Sequence, residues 1–444
     1  MLSRACQAQI ARRASAVCLV VLGAIKLFGC SAQSFQPGPS AATYEAEISV
    51  NPLHAGHQQA LQAPQQLKGT LLVWTQKYQG LDPMLQQKLS NSISTMTHSF
   101  EQLHPDVNVV IEEYPDTVFY ENYQRDLRYG LGPDVMLVHT MMVSSLVRDK
   151  LLKPFPNQGI RTEEIKAKLL EQVKLGGEIY GLPFLVDVQA LCFNRDHVST
   201  APKSFEQLRQ FARQGISIGL NSSFLKTIWG APGFGADVFT RSGETSMNPE
   251  GWGKWIEALS QLDREPQIVL IEPDSTILQY FISGELSIIP CRSHVLPLLR
   301  EKIGSEKLGV ASLPSVNNIP AKPPLGGLAL TLSPIMSARQ EQLAIALARH
   351  MTNRDVQQIM AIEWNALLPV NSESDFNRHL FPTLQSLTQI YENSVGFSIE
   401  EWSAILGSFD LSNAIYNQAM NGEIKANVAG ARIKRALKEA MPSR

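Results

Sequence analysis

The sequence predicts an α/β protein built as two lobes joined by a hinge, with helices at its C-terminal end. Three observations lead there. From residue 69 onward, short apolar strand-like runs alternate with helical patterns, which implies βαβ units and a mostly parallel sheet. Residues 180–195, YGLPFLVDVQALCFNR, read as a strand that crosses between lobes. The length of 444 residues exceeds one ordinary domain and suggests two.

The elements follow in order. Residues 69–74 (GTLLVW) form a first strand, and a helical pattern covers 84–104. Residues 107–113 (VNVVIEE) are a second strand, with a helix near 120–129. A Gly-Pro-Asp turn at 132–134 leads into a third strand ending at His139, with a helix near 144–150. Ligands of such sheets gather at the carboxyl ends of strands. That nominates residues 74–77, 112–114 and 139–142. A second α/β region begins after residue 190. Ser204 is placed to cap a helix, 215–220 is a strand, and the Gly-rich 230–235 (GAPGFG) must turn. Trp252 and Trp255 stand three apart on a helix and read as core. Residues 281–290 lead into another strand carrying Cys291, Arg292 and His294, strands follow at 309–314 and 326–332, and the last hundred or so residues are helical.

Composition narrows the function. Hydrophobic residues make up 44% and charged residues 18%, which suits a core-forming globular protein. The formal net charge of −2 supplies no basic field for nucleic acid. The Arg432, Lys434, Arg435 and Lys438 run has the spacing of a solvated helix face.

The N-terminus reads as an export signal. Arg4, Arg12 and Arg13 precede a mostly apolar stretch, 14–27, that is short for a membrane span. Leu27-Phe-Gly-Cys30 resembles a lipobox. Cys30 is then the lipidated first mature residue, and Gly29 is the small residue the peptidase needs. Phe28 is bulky for its place and Lys26 interrupts the apolar run. Residues 31–67, rich in Ser, Ala, Gln and Pro, read as a flexible tether. His54 and His57 have metal-ligand spacing but no carboxylate or Cys partner nearby, so no metal is assigned. Beyond the leader only Cys192 and Cys291 remain. They read as buried small side chains or, in an oxidising compartment, as a disulfide, and spacing leaves both open.

Enzyme signatures are weak. Gly215-Ile-Ser-Ile-Gly219 matches a nucleophile-elbow pattern, but Ser217 sits mid-strand rather than on a strand-to-helix turn. No phosphate loop and no dinucleotide fingerprint is present. Glu112 and Glu113 are adjacent on a strand and point to opposite faces, which is wrong for acid–base pairing. No catalytic residue and no cofactor is assigned.

From about residue 69 to 440, the order of segments resembles the bacterial extracellular solute-binding proteins of the sugar type, the maltose-binding-protein-like group. The resemblance rests on LLVW, GPDVMLV, YGLPFLVDVQALCFNRD followed by APKSFEQL, FISGELSII, GVASLPS, PLGGLAL and GEIKANVAGARIKRAL. It implies a two-lobe periplasmic-binding-protein fold. Lobe one comprises 68–185 plus 325–365, and lobe two 190–322 plus 366–444. It also implies a monomeric substrate-binding protein of an ABC importer. Such a protein captures a sugar, polyol or similar polar solute by hinge closure and hands it to a membrane permease, here while tethered by Cys30 at the periplasmic or cell surface.

The resemblance also nominates site residues. Asp187 occupies the hinge strand, where an acidic residue accepts hydrogen bonds from sugar hydroxyls. Trp74, Glu112 and Tyr114 occupy rim positions. Two departures matter. The polar clamp expected after GPDV is replaced by Met136-Leu-Val-His139-Thr-Met-Met, leaving His139 and Thr140. The expected Gly-x-Trp of the second lobe is Cys291-Arg292-Ser293-His294, so His294 stands in place of a stacking platform. Trp229, Phe234 and Trp364 are candidate replacements for that platform. Arg292 could hold a carboxylate or phosphate, so an acidic solute is the rival ligand. The missing clamp also admits a scaffold or sensor that kept the fold without transport.

Overall fold

The chain clusters into two units, Met1–Ala63 and Pro64–Arg444. The computed structural model describes residues 67–239, 245, 248–377 and 379–441, all in the second unit. The leader, Cys30, the His54/His57 pair and all of the tether but Leu67 lie outside the described residues.

The strands are β1 (Gly69–Lys77), β2 (Val107–Pro115), β3 (Val135–His139), the short hairpin β4 (Lys174–Leu175) and β5 (Glu178–Ile179), β6 (Leu182–Asp187), β7 (Gln189–Asn194), β8 (Ile218–Asn221), β9 (Ile268–Ile271), β10 (Ile288–Arg292), β11 (Leu308–Ala311) and β12 (Gly326–Leu332). They form two five-stranded sheets, β2-β1-β3-β12-β6 and β11-β7-β10-β8-β9. Each sheet is mixed rather than mostly parallel. β1 pairs parallel with β2 and β3, and β8 pairs parallel with β9 and β10. β12 runs antiparallel to β3 and β6, and β7 antiparallel to β10 and β11. The antiparallel strands belong to the segments that pass from one sheet to the other. A chain returning from the opposite lobe enters its sheet in reverse, whereas helix crossovers within a lobe keep direction.

The local chemistry explains most element ends. Asp82 caps the helix Pro83–Leu103, accepting from the Met84 N–H at 2.9 Å, with Pro at the first helical position. Ser204 caps Phe205–Arg213 by accepting from the Gln207 N–H at 3.2 Å. Two helices begin earlier than periodicity indicates. Asp116–Arg128 starts directly after Pro115, with Asp116 at its positive end, and Thr140–Arg148 starts directly after β3. The 230–235 segment is not an open turn. It belongs to the 3₁₀ run Ile228–Phe234, which ends at left-handed Gly235.

Two buried clusters support the sheets. The larger surrounds the first sheet and continues through Ile277, Phe281 and Ile289 into the second. The other surrounds Trp252, Trp255, Trp402 and Tyr416. The C-terminal helices Phe409–Met420 and Ala426–Ala440 pack on Pro249–Leu262, the helix that carries both tryptophans. Among the described residues, no helix is long and apolar enough to cross a membrane.

The chain crosses between the sheets at three places that lie side by side. Val188 alone separates β6 from β7. Residues 323–325 lead into β12, and residue 395 pairs with them: the Leu325 N–H donates to the Val395 carbonyl and the Val395 N–H to the Pro323 carbonyl. Lys168 fastens the third crossing, donating to the carbonyls of Tyr391, Glu392 and Ser394 at the end of the helix Pro382–Asn393.

Cys192 and Cys291 form a disulfide, which decides between the two readings of these residues. The antiparallel register sets Cys192 opposite Ile289 and Cys291 opposite Ala190, so the cysteines are diagonal neighbours, with Cα atoms 5.8 Å apart. The bridge joins β7, which leaves the hinge, to β10, which returns to it. It closes a loop of 99 residues. In the chain-entropy view, such a loop contributes about 3–5 kcal/mol. The Cys192→Ser/Cys291→Ser variant should therefore melt well below the wild type in calorimetry, while keeping its far-ultraviolet circular dichroism. An unchanged melting temperature would show that the bridge constrains nothing the strands do not already hold.

Candidate ligand-binding cleft

A cavity of about 520 Å³ lies where the two sheets meet, within the ordinary size of a small-molecule site. The first lobe contributes residues 78–82, Leu85, Leu89, His139, Met141 and Leu185. The second contributes Gln189, Asn221, Leu225, Lys226, residues 273–275, Ile277, Leu278, residues 289–292, His294 and Val295. Residues 324–328 and Trp364, Leu367 and Trp402 complete it.

The floor is organised around Asp187, the last residue of β6. Its carboxylate is buried, at 5% exposure, and takes four donors. Arg292 Nε and His294 Nδ1 lie 2.8 Å from Oδ2. Ser293 Oγ donates to Oδ1 at 2.8 Å, and the His294 N–H does so at 3.1 Å. Arg292 also donates to the Asp187 and Pro324 carbonyls. The Val188 N–H donates to Ser293 Oγ, while the Ser293 N–H donates to the Val188 carbonyl. Asp187 ends a strand of one sheet and Arg292 a strand of the other, so this ion pair spans the hinge. Gly326 lets it form, since a Cβ there would lie 2.0 Å from Arg292 Nη2. Burial alone would push the Asp187 carboxyl up. The Arg292 and His294 charges, with hydrogen bonds from His294 and Ser293, reverse this and hold it well below the usual carboxylate range.

A second pair lines the cleft. Lys226 Nζ lies 2.9 Å from Asp274 Oδ1, and Asn221 Nδ2 donates to the same oxygen at 2.5 Å. Asp82 is engaged in capping its helix. His139 stands beside this network with its Nδ1 buried and without a partner among the described residues. Its backbone N–H reaches Gln76 Oε1, and its ring meets Tyr78 edge-on. The Arg292 and Lys226 charges are therefore both paired within the protein, and the cleft is not a waiting anion site.

Of the sequence-nominated residues, Asp187, His139, Arg292, His294 and Trp364 come together here. Their roles differ from expectation. The Asp187 carboxylate is taken by protein donors and is not an open acceptor for hydroxyls. Arg292 is bound to it, so its charge is not free for an acidic ligand. Trp364 is 4% exposed, and its Nε1 donates to Ser92 Oγ at 3.0 Å. The other nominees are not cleft residues. Trp74 is in the core, packed on Tyr114, Phe119 and Tyr123. Glu112 accepts from the Tyr114 hydroxyl on β2, the outermost strand of its sheet and the farthest from β6. Trp229 and Phe234 pack on Trp255, because the 3₁₀ run folds inward. Gly230 makes that approach possible, since a Cβ there would lie 2.3 Å from the Trp255 ring. Sequence reasoning missed Tyr78, one residue beyond the nominated end of β1. It also missed Lys226, Asp274 and Trp402, which carry no local motif. Among the described residues, no cluster of His, Cys, Asp and Glu could hold a metal ion.

The profile described as bacterial extracellular solute-binding protein matches residues 95–377. The chain belongs to that family. As a family member its place is extracytoplasmic, in the periplasm or at the cell surface. The solute-binding protein is 26% identical over 222 residues to the galactooligosaccharide-binding protein of Bacillus subtilis, a match covering 47% of this chain and 49% of that one. It is 27% identical over 221 residues to the maltodextrin-binding protein MdxE of the same species, covering 44% and 51%. The chain spans about half the length of the curated relatives it matches. In fold it resembles the GacH receptor of Streptomyces glaucescens, with a TM-score of 0.70 at 17% identity, over 84% of this chain and 99% of that one. It also resembles maltose-bound MalE3 of T. maritima, with a TM-score of 0.70 at 18% identity, over 84% and 100%. These likenesses establish the two-lobe, type II architecture of this solute-binding protein.

Burial, and then the Arg292 charge, lower the His139 imidazole to about 4, so it is neutral at pH 7. An unfolded His takes its proton near 6.5. Between the two values the unfolded chain binds more protons, so stability falls as pH drops from about 6.5 toward 4. Urea unfolding at pH 7 and pH 5 should show His139→Gln losing less stability than the wild type, by on the order of 1 kcal/mol. Equal losses would place the imidazole in contact with solvent.

Proposed function

We propose that this protein is the extracytoplasmic substrate-binding subunit of an ABC importer. It captures a neutral sugar or sugar-like polar solute in the interlobe cleft by hinge closure and presents it to a membrane permease. The observation that carries the reading is a cavity at the chain crossings whose charges are paired within the protein. A neutral ligand entering such a site leaves no ion unpaired, whereas an acidic one must compete with Asp187 for Arg292 or with Asp274 for Lys226. The relatives, a galactooligosaccharide-binding and a maltodextrin-binding protein, point the same way.

The lobes divide as 68–185 plus 325–365 and 190–322 plus 366–444, and the protein acts as a monomer. Asp187, Arg292, Ser293 and His294 are positioning residues of the hinge, and His139 and Trp364 line the cleft. The chain is a binding protein rather than an enzyme: the buried acid at the floor is held ionised by four donors and has no proton to give. The disulfide supports an oxidising compartment outside the cytoplasm. Lipidation at Cys30 is the reading of the leader that keeps the protein beside its permease.

The test is a melting-temperature screen of the purified protein against neutral mono- and oligosaccharides, glycosylated polyols and acidic sugars. Small-angle scattering accompanies it to detect closure. Neutral ligands of this panel should raise the melting temperature by several degrees and lower the radius of gyration. A response confined to acidic sugars would replace the ligand class. No response from a folded protein would favour a scaffold that kept the fold.

A further inference from the structure

The walls of the cleft differ from its floor. Partly exposed aliphatic side chains face it from both lobes: Leu81 and Met141 from the first, and Leu225, Leu278 and Val295 from the second. Behind them lie buried Leu85, Leu89 and Ile277. Aromatic faces are scarce. Trp364 and Trp402 line the cavity but are 4% and 2% exposed, which leaves the Tyr78 phenol, with the His139 and His294 imidazoles, as the partly exposed rings of the lining. Polar groups line the strand ends and crossings at Gln189, Asn221, Arg292 and His294, and the walls also carry Gln79, Ser275, the helix-capping Asp82 and the paired Lys226 and Asp274. Arg292 uses three of its five N–H groups within the protein.

A bare oligosaccharide fits these walls poorly. Its hydroxyls would be pressed against leucine and methionine side chains that cannot replace their bonds to water. An aliphatic group on the ligand would instead remove apolar surface from water on both sides at once. We propose that the cleft takes a neutral amphipathic solute, a polyol or sugar head at the hinge floor joined to an aliphatic portion between the leucine-lined walls. This rests on the substrate-binding reading above and specifies its ligand class.

The test is calorimetric titration of the full-length protein with β-D-glucosides bearing methyl, propyl, butyl and hexyl groups, all below their micelle concentrations. Maltose, maltotriose and 1-hexanol are measured beside them. Affinity should rise about fourfold for each added methylene. Hexyl glucoside should exceed both maltose and hexanol. Leu278→Gln and Met141→Gln, polar changes at half-exposed positions on opposite walls, should each lower the gain to below about twofold per methylene. A flat series beside tight maltose or maltotriose binding would overturn the amphipathic ligand and leave the sugar-binding reading standing. Hexanol binding as tightly as hexyl glucoside would overturn the joint head-and-tail site. A folded protein that binds none of these probes would overturn this inference together with the function on which it rests.

Discussion

A carboxylate removed from water must be neutralised by the groups around it, and at Asp187 those groups belong to the other lobe. Arg292, Ser293 and His294 close around it at the end of β10. The two-lobe arrangement depends on this pairing. It sets where β6 stops, directs the chain through Val188 into β7, and draws the 324–326 crossing against the same guanidinium. A hinge made this way has a fixed floor.

The same pairing decides the character of the cleft. A free Arg292 would make the floor a site for anions. Bound to Asp187, it becomes a rigid wall with a few spare donors. The Lys226–Asp274 pair repeats this logic on the second lobe. What remains for a ligand is neutral polar groups below and aliphatic side chains beside them. The disulfide between β7 and β10 lies directly behind, and it holds together the two strands whose ends form the floor.

Much of this fold was legible in the sequence, because strands and helices of this kind are written in local periodicity. The β1 and β12 runs, the Ser204 cap and the crossing at 180–195 are visible as patterns of apolar and capping residues. The direction of β7 and β12 was not, because strand direction depends on where the chain comes from and not on its composition. The site was legible only in part. The local pattern puts Asp187 at the end of the crossing strand, but whether its carboxylate faces ligand or Arg292 depends on a contact 105 residues away. Trp74 was nominated because it stands near the end of a strand. Three aromatic neighbours on β2 and the helix after it draw it into the core instead. Tyr78, the residue directly after β1, falls just outside the strand end that the pattern marks. Lys226 and Asp274 meet only after folding, and no local pattern announces them.

Asp187 and Arg292 neutralise each other across the hinge. A double-mutant cycle on unfolding free energy, with Asp187→Asn, Arg292→Met and the pair, measures this directly. Each single change should cost about 3 kcal/mol, because it strands a charge or its donors. The double variant should cost clearly less than the sum, with a coupling of about 2 kcal/mol. Strictly additive losses would mean that the two residues act independently, and that the floor of the cleft is not the neutral, fixed element described above.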